Sequence, residues 1–451
     1  MTQKVERNRI ESAGLTDVGV RRSHNQDSYA ELLANSDEQW QKQGHIFVVA
    51  DGMGAHAVGE LASKKAAEII PHIFAKYAEQ GPAQALYRAF QEANQAIFQM
   101  GSQNLGFSGM GTTATALVLH PTGAWIGHVG DTRVYRIRGG KIEQLTFDHS
   151  LRWEVARRRG VDPEKVTDVA SNAIVRSLGP EATVQVDIEG PHSVEAGDIF
   201  VLCSDGLSGL VSDAEIGAIV SSLSVQEAAK FLVALANLRG GPDNITVLII
   251  RILEFQPGER PLRQSWWQRL GQVWQRQTLP VRLAVSSIPL ALVCLVSLMW
   301  ALDLPSQSRT RPWMFVISAV SFATAVALMG LSWYLSQREE NVSEASEEAP
   351  QHGLTIRPAQ VYRQASCAAN ASLFERLAQV QRHLQELVNE AGWPYPKESY
   401  QRLQGESQRL LQQRKVAEAF HAQLQAIHIL ADTARRHQQR QEVFLPNWDG
   451  D

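Results

Sequence analysis

The sequence predicts an α+β protein: a central antiparallel β-sandwich flanked by helices, then a two-helix transmembrane hairpin and an α-helical C-terminal region. Three observations carry this. Between Thr112 and Thr146 apolar residues alternate with a period of two, whereas the stretches on either side follow the 3.6-residue helical period. The runs Leu283–Leu302 and Pro312–Leu335 contain no charged residue. Leu373, Leu377, Val380, Leu384 and Leu387 recur with 4-3-4-3 spacing.

The 451 residues leave room for about two or three domains. Acidic and basic residues nearly balance, 47 against 43, so nothing global points to nucleic acid. Cys203, Cys294 and Cys367 are too far apart for a disulfide framework or a zinc-site spacing, which suits a reducing compartment. The charged N-terminus has no apolar core and does not read as a secretory signal.

The first domain is placed at 1–256. Ile46 to Ala50 reads as a buried strand that stops at Asp51-Gly52. Val58–Tyr77 and Ala83–Met100 have helical periodicity, the first with a kink or break expected at Pro71. An antiparallel meander follows: Thr112–His120, Ala124–Val129, Thr132–Arg138 and Lys141–Thr146, with turns at Pro121–Gly123 and Gly139-Gly140. Leu151 to about Ser171 is polar and basic, and reads as an insertion. Asp198–Cys203 is a further strand ending at Ser204-Asp205-Gly206, helices are expected near 213–221 and 225–238, and Ile245–Leu253 is the last strand. The cluster Val20–Tyr29 is too densely polar to be expected as a strand interior.

Residues 257–280 are rich in Trp, Gln and Arg, with five arginines from Arg260 to Arg282, as suits a membrane interface. The apolar runs, taken as spans at 281–302 and 312–335, are each long enough to cross about 30 Å as helices. The short connection between them makes a hairpin. This puts the protein in the plasma (inner) membrane in contact with lipid, with the first domain and C-terminus both cytoplasmic. An acidic, Ser-rich linker at 336–360 leads to a helical hairpin or coiled coil at 361–451. There Phe420, Leu424, Ile427, Ala431 and Ala434 repeat the earlier spacing beyond a Pro-containing break at 392–396.

Asp51, Asp131, Asp205 and Asp243 all stand where a strand begins or ends. Each alone is an ordinary turn residue. Together they form a set of hard oxygen ligands suited to Mg²⁺ or Mn²⁺, able to activate water and clamp a phosphate.

The motifs Arg22…Asn25-Gln26-Asp27, Asp51-Gly52-Met53-Gly54, Gly109-Met110-Gly111-Thr112-Thr113, Gly130-Asp131-Thr132-Arg133, Ser204-Asp205-Gly206-Leu207 and Gly241-Pro242-Asp243-Asn244 resemble, in order, those of type 2C protein phosphatases. These are the metal-dependent PPM serine/threonine phosphatases, here in bacterial form. The resemblance spans about residues 10–254. It implies the PPM fold and hydrolysis of phosphoserine or phosphothreonine in proteins by a metal-bridged hydroxide, without a phosphoenzyme. It further implies that Asp51 bridges two Mn²⁺ or Mg²⁺ ions, Gly52 adds its carbonyl oxygen, and Asp205 and Asp243 complete the first ion's shell. Asp131 matches the carboxylate of a third, weaker site, Arg22 the phosphate-binding arginine, and Asp27 an acid near the second ion's waters. Asn244 matches a supporting residue.

Gln26 stands where many members have Glu, and Ala55 where Gly is frequent. His56 is offset from the histidine of animal members; it is either a leaving-group acid or a structural, substrate-edge residue. Asp148-His149-Ser150 and the insertion after it resemble the family's variable flap. The resemblance also implies a counterpart serine/threonine kinase. The competing reading is a membrane scaffold or pseudophosphatase that binds phosphoproteins.

Overall fold

The computed structural model describes residues 10–54, 58–103, 105–107, 109–170, 173–255, 279–303, 310–344, 354–368 and 370–442. They divide into two compact units, one made of 1–258 with 353–451 and the other of 259–352.

The first unit is built on two sheets. Strands β1 (Ile10–Asp17), β2 (Asp27–Leu32), β3 (His45–Met53), β4 (Gly111–Thr112), β5 (Ala114–His120), β6 (Gly123–Val129), β7 (Arg133–Arg138), β8 (Lys141–Gln144), β9 (Asp187–His192), β10 (Ile199–Cys203) and β11 (Ile245–Ile252) precede the apolar helices. Two short strands, β12 (Ile356–Arg357) and β13 (Arg363–Ser366), follow them. One sheet runs β1-β11-β10-β7-β8-β13, the other β12-β9-β6-β5-β3-β2, with β4 paired to β3. The β12–β9 pair is parallel, and the other named pairs are antiparallel.

The period of two explains the layering. In β3, Phe47 and Val49 point between the sheets to meet Val134, Phe200, Leu202, Leu248 and Ile250. Ile46, Val48 and Ala50 point the other way, onto helices α2 (Val58–Lys76) and α3 (Pro82–Gln103). With both faces covered, Ile46 to Ala50 are all buried, as an unbroken apolar run requires. The outer face of the other sheet carries α6 (Asp213–Ser222) and α7 (Val225–Leu238), capped by Ser212-x-x-Glu215 and Ser224-x-x-Glu227 boxes. Smaller helices are α1 (Asp37–Lys42), α4 (Leu151–Arg159) in the insertion, and α5 (Asp205–Ser208).

Several expectations change. Helix α2 passes through Pro71 without a break, and Pro71 is buried. The polar segment after Asn25 does enter a strand, since β2 pairs along the edge of β3 and solvates its other face. In the second unit, α8 (Leu279–Asp303) and α9 (Arg311–Glu344) pack against each other. Among the described residues one stretch, Pro312–Tyr334, is long and apolar enough to cross a membrane, while the apolar part of α8, Ser287–Asp303, is shorter. Helix α9 runs to Glu344, so the expected linker begins as helix; the Trp-rich segment lies outside the described residues, save Leu279 and Pro280.

The C-terminal region holds three helices where two were expected: α10 (Ala371–Glu390), α11 (Lys397–Gln412) and α12 (Val416–Glu442). They do not stand apart. Leu377, Leu384, Phe420, Leu424 and Ile427 share one core with Ile219, Leu232, Val247 and Ile249 of the sheet and its helices. Their heptad-like faces are spent on the first domain and on each other. The cysteines Cys203, Cys294 and Cys367 are all free.

Candidate metal centre

Five carboxylates meet where the two sheets open at one rim. Asp51 lies near the end of β3, directly opposite Asp27 of β2. Asp131 follows β6, Asp205 opens α5 immediately after β10, and Asp243 precedes β11. The electrostatic neighbours of Asp51 are Asp27, Asp205, Asp131 and Asp243. Every strand-end aspartate singled out in the sequence is thus brought to one place.

The backbone there is tightly held. Thr113 N–H and Thr112 Oγ1 both donate to the Asp51 carbonyl at 2.8 Å, and Asp51 N–H donates to Thr113 Oγ1 at 3.1 Å. Gly52 is required by close approach: a Cβ there would sit 2.1 Å from the Gly59 carbonyl oxygen. Gly130 adopts φ +114°, and a Cβ would come within 2.4 Å of Thr113, so only glycine turns the chain into Asp131. Asn244 is buried and ties the rim together. Its Oδ1 accepts from Gln26 N–H at 2.8 Å, and its Nδ2 donates to the carbonyls of Val18 and His24, each at 2.9 Å. Ser204 Oγ donates to Asp27 Oδ2 at 2.7 Å and accepts from Thr246 N–H at 3.0 Å.

Burial and mutual repulsion leave Asp27, Asp51, Asp131 and Asp205 reluctant to ionise. Burial is the main cause for each, with neighbouring carboxylates adding to it. Asp27 is pushed up to about 7, Asp51 and Asp131 are held well above the ordinary carboxylate range, and Asp205 is raised. Asp27 Oδ1, Asp131 Oδ1 and Asp205 Oδ1 are buried without a hydrogen-bond partner. Orphaned acceptors in a crowd of like charges fit a divalent cation, which satisfies both deficits at once. Among the described residues no group of three or more His, Cys, Asp or Glu side chains is placed to hold a metal ion directly. Magnesium and manganese tolerate that, because waters complete their shells around a few carboxylates. Asp243 in particular is turned aside: Oδ2 accepts from Arg22 at 2.8 Å and Oδ1 from Asn244 N–H at 2.8 Å.

Arg22 is half-exposed and faces the rim through this pair. His56 lies outside the described residues. Sequence reasoning missed a second shell of side chains. His149 Nδ1 accepts from Gly130 N–H at 3.0 Å, which leaves the proton of the neutral ring on Nε2, 3.1 Å from both Asp187 Oδ2 and Arg176 Nη1. Burial lowers its pKa accordingly. Arg133 forks onto Asp148 at 2.7–3.1 Å and reaches the Tyr135 hydroxyl at 2.9 Å. Gly-Asp-Thr-Arg and Asp-His-Ser were both visible as motifs, but their mutual contact was not. A cavity of about 430 Å³ adjoins the centre, lined by Asp131, Asp205, Arg133, Arg152, Glu164 and Arg363 among others.

The family profile described as Protein phosphatase 2C matches residues 20–238. The serine/threonine phosphatase stp of Listeria innocua is 34% identical over 249 residues, 54% of this chain and 96% of that protein. The protein phosphatase PhpP of Streptococcus pneumoniae is 35% identical over 251 residues, 54% of this chain and 98% of that protein. A solved catalytic domain of the serine/threonine phosphatase PstP, in complex with two manganese ions, is 31% identical and covers 54% of this chain and 99% of that one, with a TM-score of 0.46. On the ordered motifs, the clustered carboxylates and relatives matched over nearly their full length, this chain belongs to the protein phosphatase 2C family.

Proposed function

We propose that the protein is a membrane-anchored serine/threonine protein phosphatase that removes phosphate from phosphoserine and phosphothreonine in proteins. The observation that carries this is the cluster of the Asp27, Asp51, Asp131 and Asp205 carboxylates, three of which hold a buried oxygen without a hydrogen-bond partner, beside a cationic Arg22. Asp51, Asp205 and Asp243 would hold one Mn²⁺ or Mg²⁺, Asp51 and the Gly52 carbonyl a second, and Asp131 a third and weaker one. When bound, such ions supply Lewis acidity to the phosphoryl oxygens and a water activated at neutral pH.

The chain's own side chains do the rest. Arg22, released from Asp243, presents a planar fork to two phosphate oxygens and orients the phosphoryl group. Asp27, held by Ser204 through one oxygen, would offer its other, unpartnered oxygen to the waters of a bound ion. Asn244 fixes the Arg22 loop to β11 and so sets the distance between phosphate site and carboxylates. No Cys or Ser nucleophile is needed, and burial pushes the nearby Cys203 thiol up to about 12, which keeps it inert.

Membrane anchoring is supported by the apolar stretch Pro312–Tyr334 and by its packing against α8. A two-span hairpin, lipid contact and a counterpart kinase belong to the same reading. The test is manganese-dependent phosphate release from a phosphoserine peptide by the full-length protein. Release that survives Asp51→Asn, or that is absent from the wild type, would leave the scaffold reading in its place.

A further inference from the structure

The segment after the apolar helices reaches the cavity that contains Asp131 and Asp205. Strand β13 is added to the open edge of β8 with Arg363 opposite Gln144, far beyond the residues that match the family. Tyr362 fixes the approach. Its N–H donates to the Gln144 carbonyl at 2.9 Å, its hydroxyl donates to Glu189 at 2.6 Å, and its ring meets Phe147 at 5.6 Å. The next side chain, Arg363, is 19% exposed and lines the cavity together with Arg152 and the two aspartates.

Two carboxylates answer Arg363, and they differ in kind. Asp213 is fixed at the start of α6, 3.9 Å away, and already accepts from the Tyr135 hydroxyl at 2.9 Å. Glu164 makes the close ion pair, yet it is 72% exposed and sits on the turn Pro163–Lys165 of the insertion. A pair whose acidic member stands in water is weak and exchanges readily. The backbone that carries Arg363, by contrast, is anchored by strand pairing, and the fixed Asp213 stays beside its guanidinium. Another oxyanion entering the cavity can therefore displace Glu164 while Arg363 stays in place. Arg152 of α4 offers a second fork there, its Nε buried and without a hydrogen-bond partner among the described residues.

We propose that Arg363 is a specificity-determining residue that binds an acidic group of the phosphoprotein substrate, a carboxylate or a second phosphate beside the scissile one, with Glu164 holding that position in the free protein. The proposal rests on the phosphatase reading above. It gives the C-terminal segment a part in substrate choice that the carboxylate cluster does not explain.

The test uses the full-length protein in detergent and phosphoserine peptides that differ at one neighbouring position: Asn, Asp or a second phosphoserine. The wild type should prefer the acidic peptides by about tenfold in kcat/KM, mainly through KM, as charge-assisted hydrogen bonds allow. Whichever acidic peptide is favoured more identifies the natural group. Arg363→Gln should bring the ratio near one, Arg363→Lys should keep part of it, and Glu164→Gln should raise it. Equal loss on all three peptides would mean a merely structural role and overturn the proposal, as would a wild type without preference. Fluorescence anisotropy of the same peptides in chelator, where turnover is blocked, reads the subsite without hydrolysis. Acid-dependent binding there that is lost in Arg363→Gln supports the subsite even if no peptide is hydrolysed, a result that would sink only the phosphatase reading. Equal binding of all peptides overturns the subsite itself.

Discussion

Asp27 faces Asp51 directly across the β2–β3 ladder, so two acids that a sheet would normally keep apart share one rim. Like charges opposite each other destabilise a sheet, and burial worsens the cost. The arrangement is thus a liability of the metal-free fold. Asp51→Asn should raise metal-free stability by about 1 kcal/mol and lower phosphatase activity on the order of 10²-fold or more. Mn²⁺ should raise the wild-type Tm through binding linkage and leave the variant nearly unmoved. Thermal melts with and without Mn²⁺ decide it; a variant less stable than wild type in chelator would contradict the repulsion argument.

Arg22 is engaged with Asp243 through a single 2.8 Å contact while half-exposed, which leaves it ready to turn to a phosphate. Arg22→Ala should raise KM for a phosphopeptide by about tenfold or more. Arg22→Lys should recover little, because an ammonium lacks the fork. Full recovery by lysine in steady-state kinetics would show that only charge matters there.

Asn244 satisfies three backbone groups from the buried centre of the rim. Its replacement by Ala should cost about 1–3 kcal/mol of stability and weaken Mn²⁺ affinity by about 10- to 100-fold. Urea unfolding and metal titration by calorimetry measure the two effects separately.

His120 sits at the β5–β6 turn, far along the strand from the rim. Its Nδ1 accepts from Thr122 N–H at 3.2 Å and also pairs with Thr122 Oγ1, so the structure wants it neutral. Burial lowers its pKa from the usual 6.5 to about 4. Between those values the unfolded chain takes up the proton and the folded one does not. The stabilisation is therefore complete above pH 6.5 and is lost as pH falls toward 4. His120→Gln should remove about 1–3 kcal/mol of pH dependence across that window. A variant with the wild-type pH profile of Tm would rule this residue out as the cause.

Phe420 of α12 is fully buried in the core shared with the sheet. Phe420→Ala should cost about 3–5 kcal/mol. Because the core is common, the catalytic sandwich and the C-terminal helices should melt in one transition that shifts as a whole. Two transitions, with only one displaced, would show that the helices are separately stable.

Legibility followed the physics of local signals. Ile46 to Ala50 declared its strand because both of its faces are buried, and Asp51, Asp131, Asp205 and Asp243 declared themselves through glycine partners with stringent backbone needs. β13, Arg363-Gln364-Ala365-Ser366, carries no β-branched or aromatic residue; its conformation comes from the exposed edge of β8, a partner more than two hundred positions earlier. The His149–Asp187 contact spans 38 positions and is also non-local, and α11 is too polar to announce a buried side. The heptad-like faces of α10 and α12 were plain, but their pattern says only that something covers them.

The strand pairings β13–β8 and β12–β9 have a topological consequence. A hydrogen-bonded sheet cannot be stitched through a bilayer, so residues before the apolar helices and residues after them occupy one aqueous compartment. Crossings between these two stretches of chain must therefore come in an even number. By this parity, if Pro312–Tyr334 spans a membrane, the chain must cross a second time.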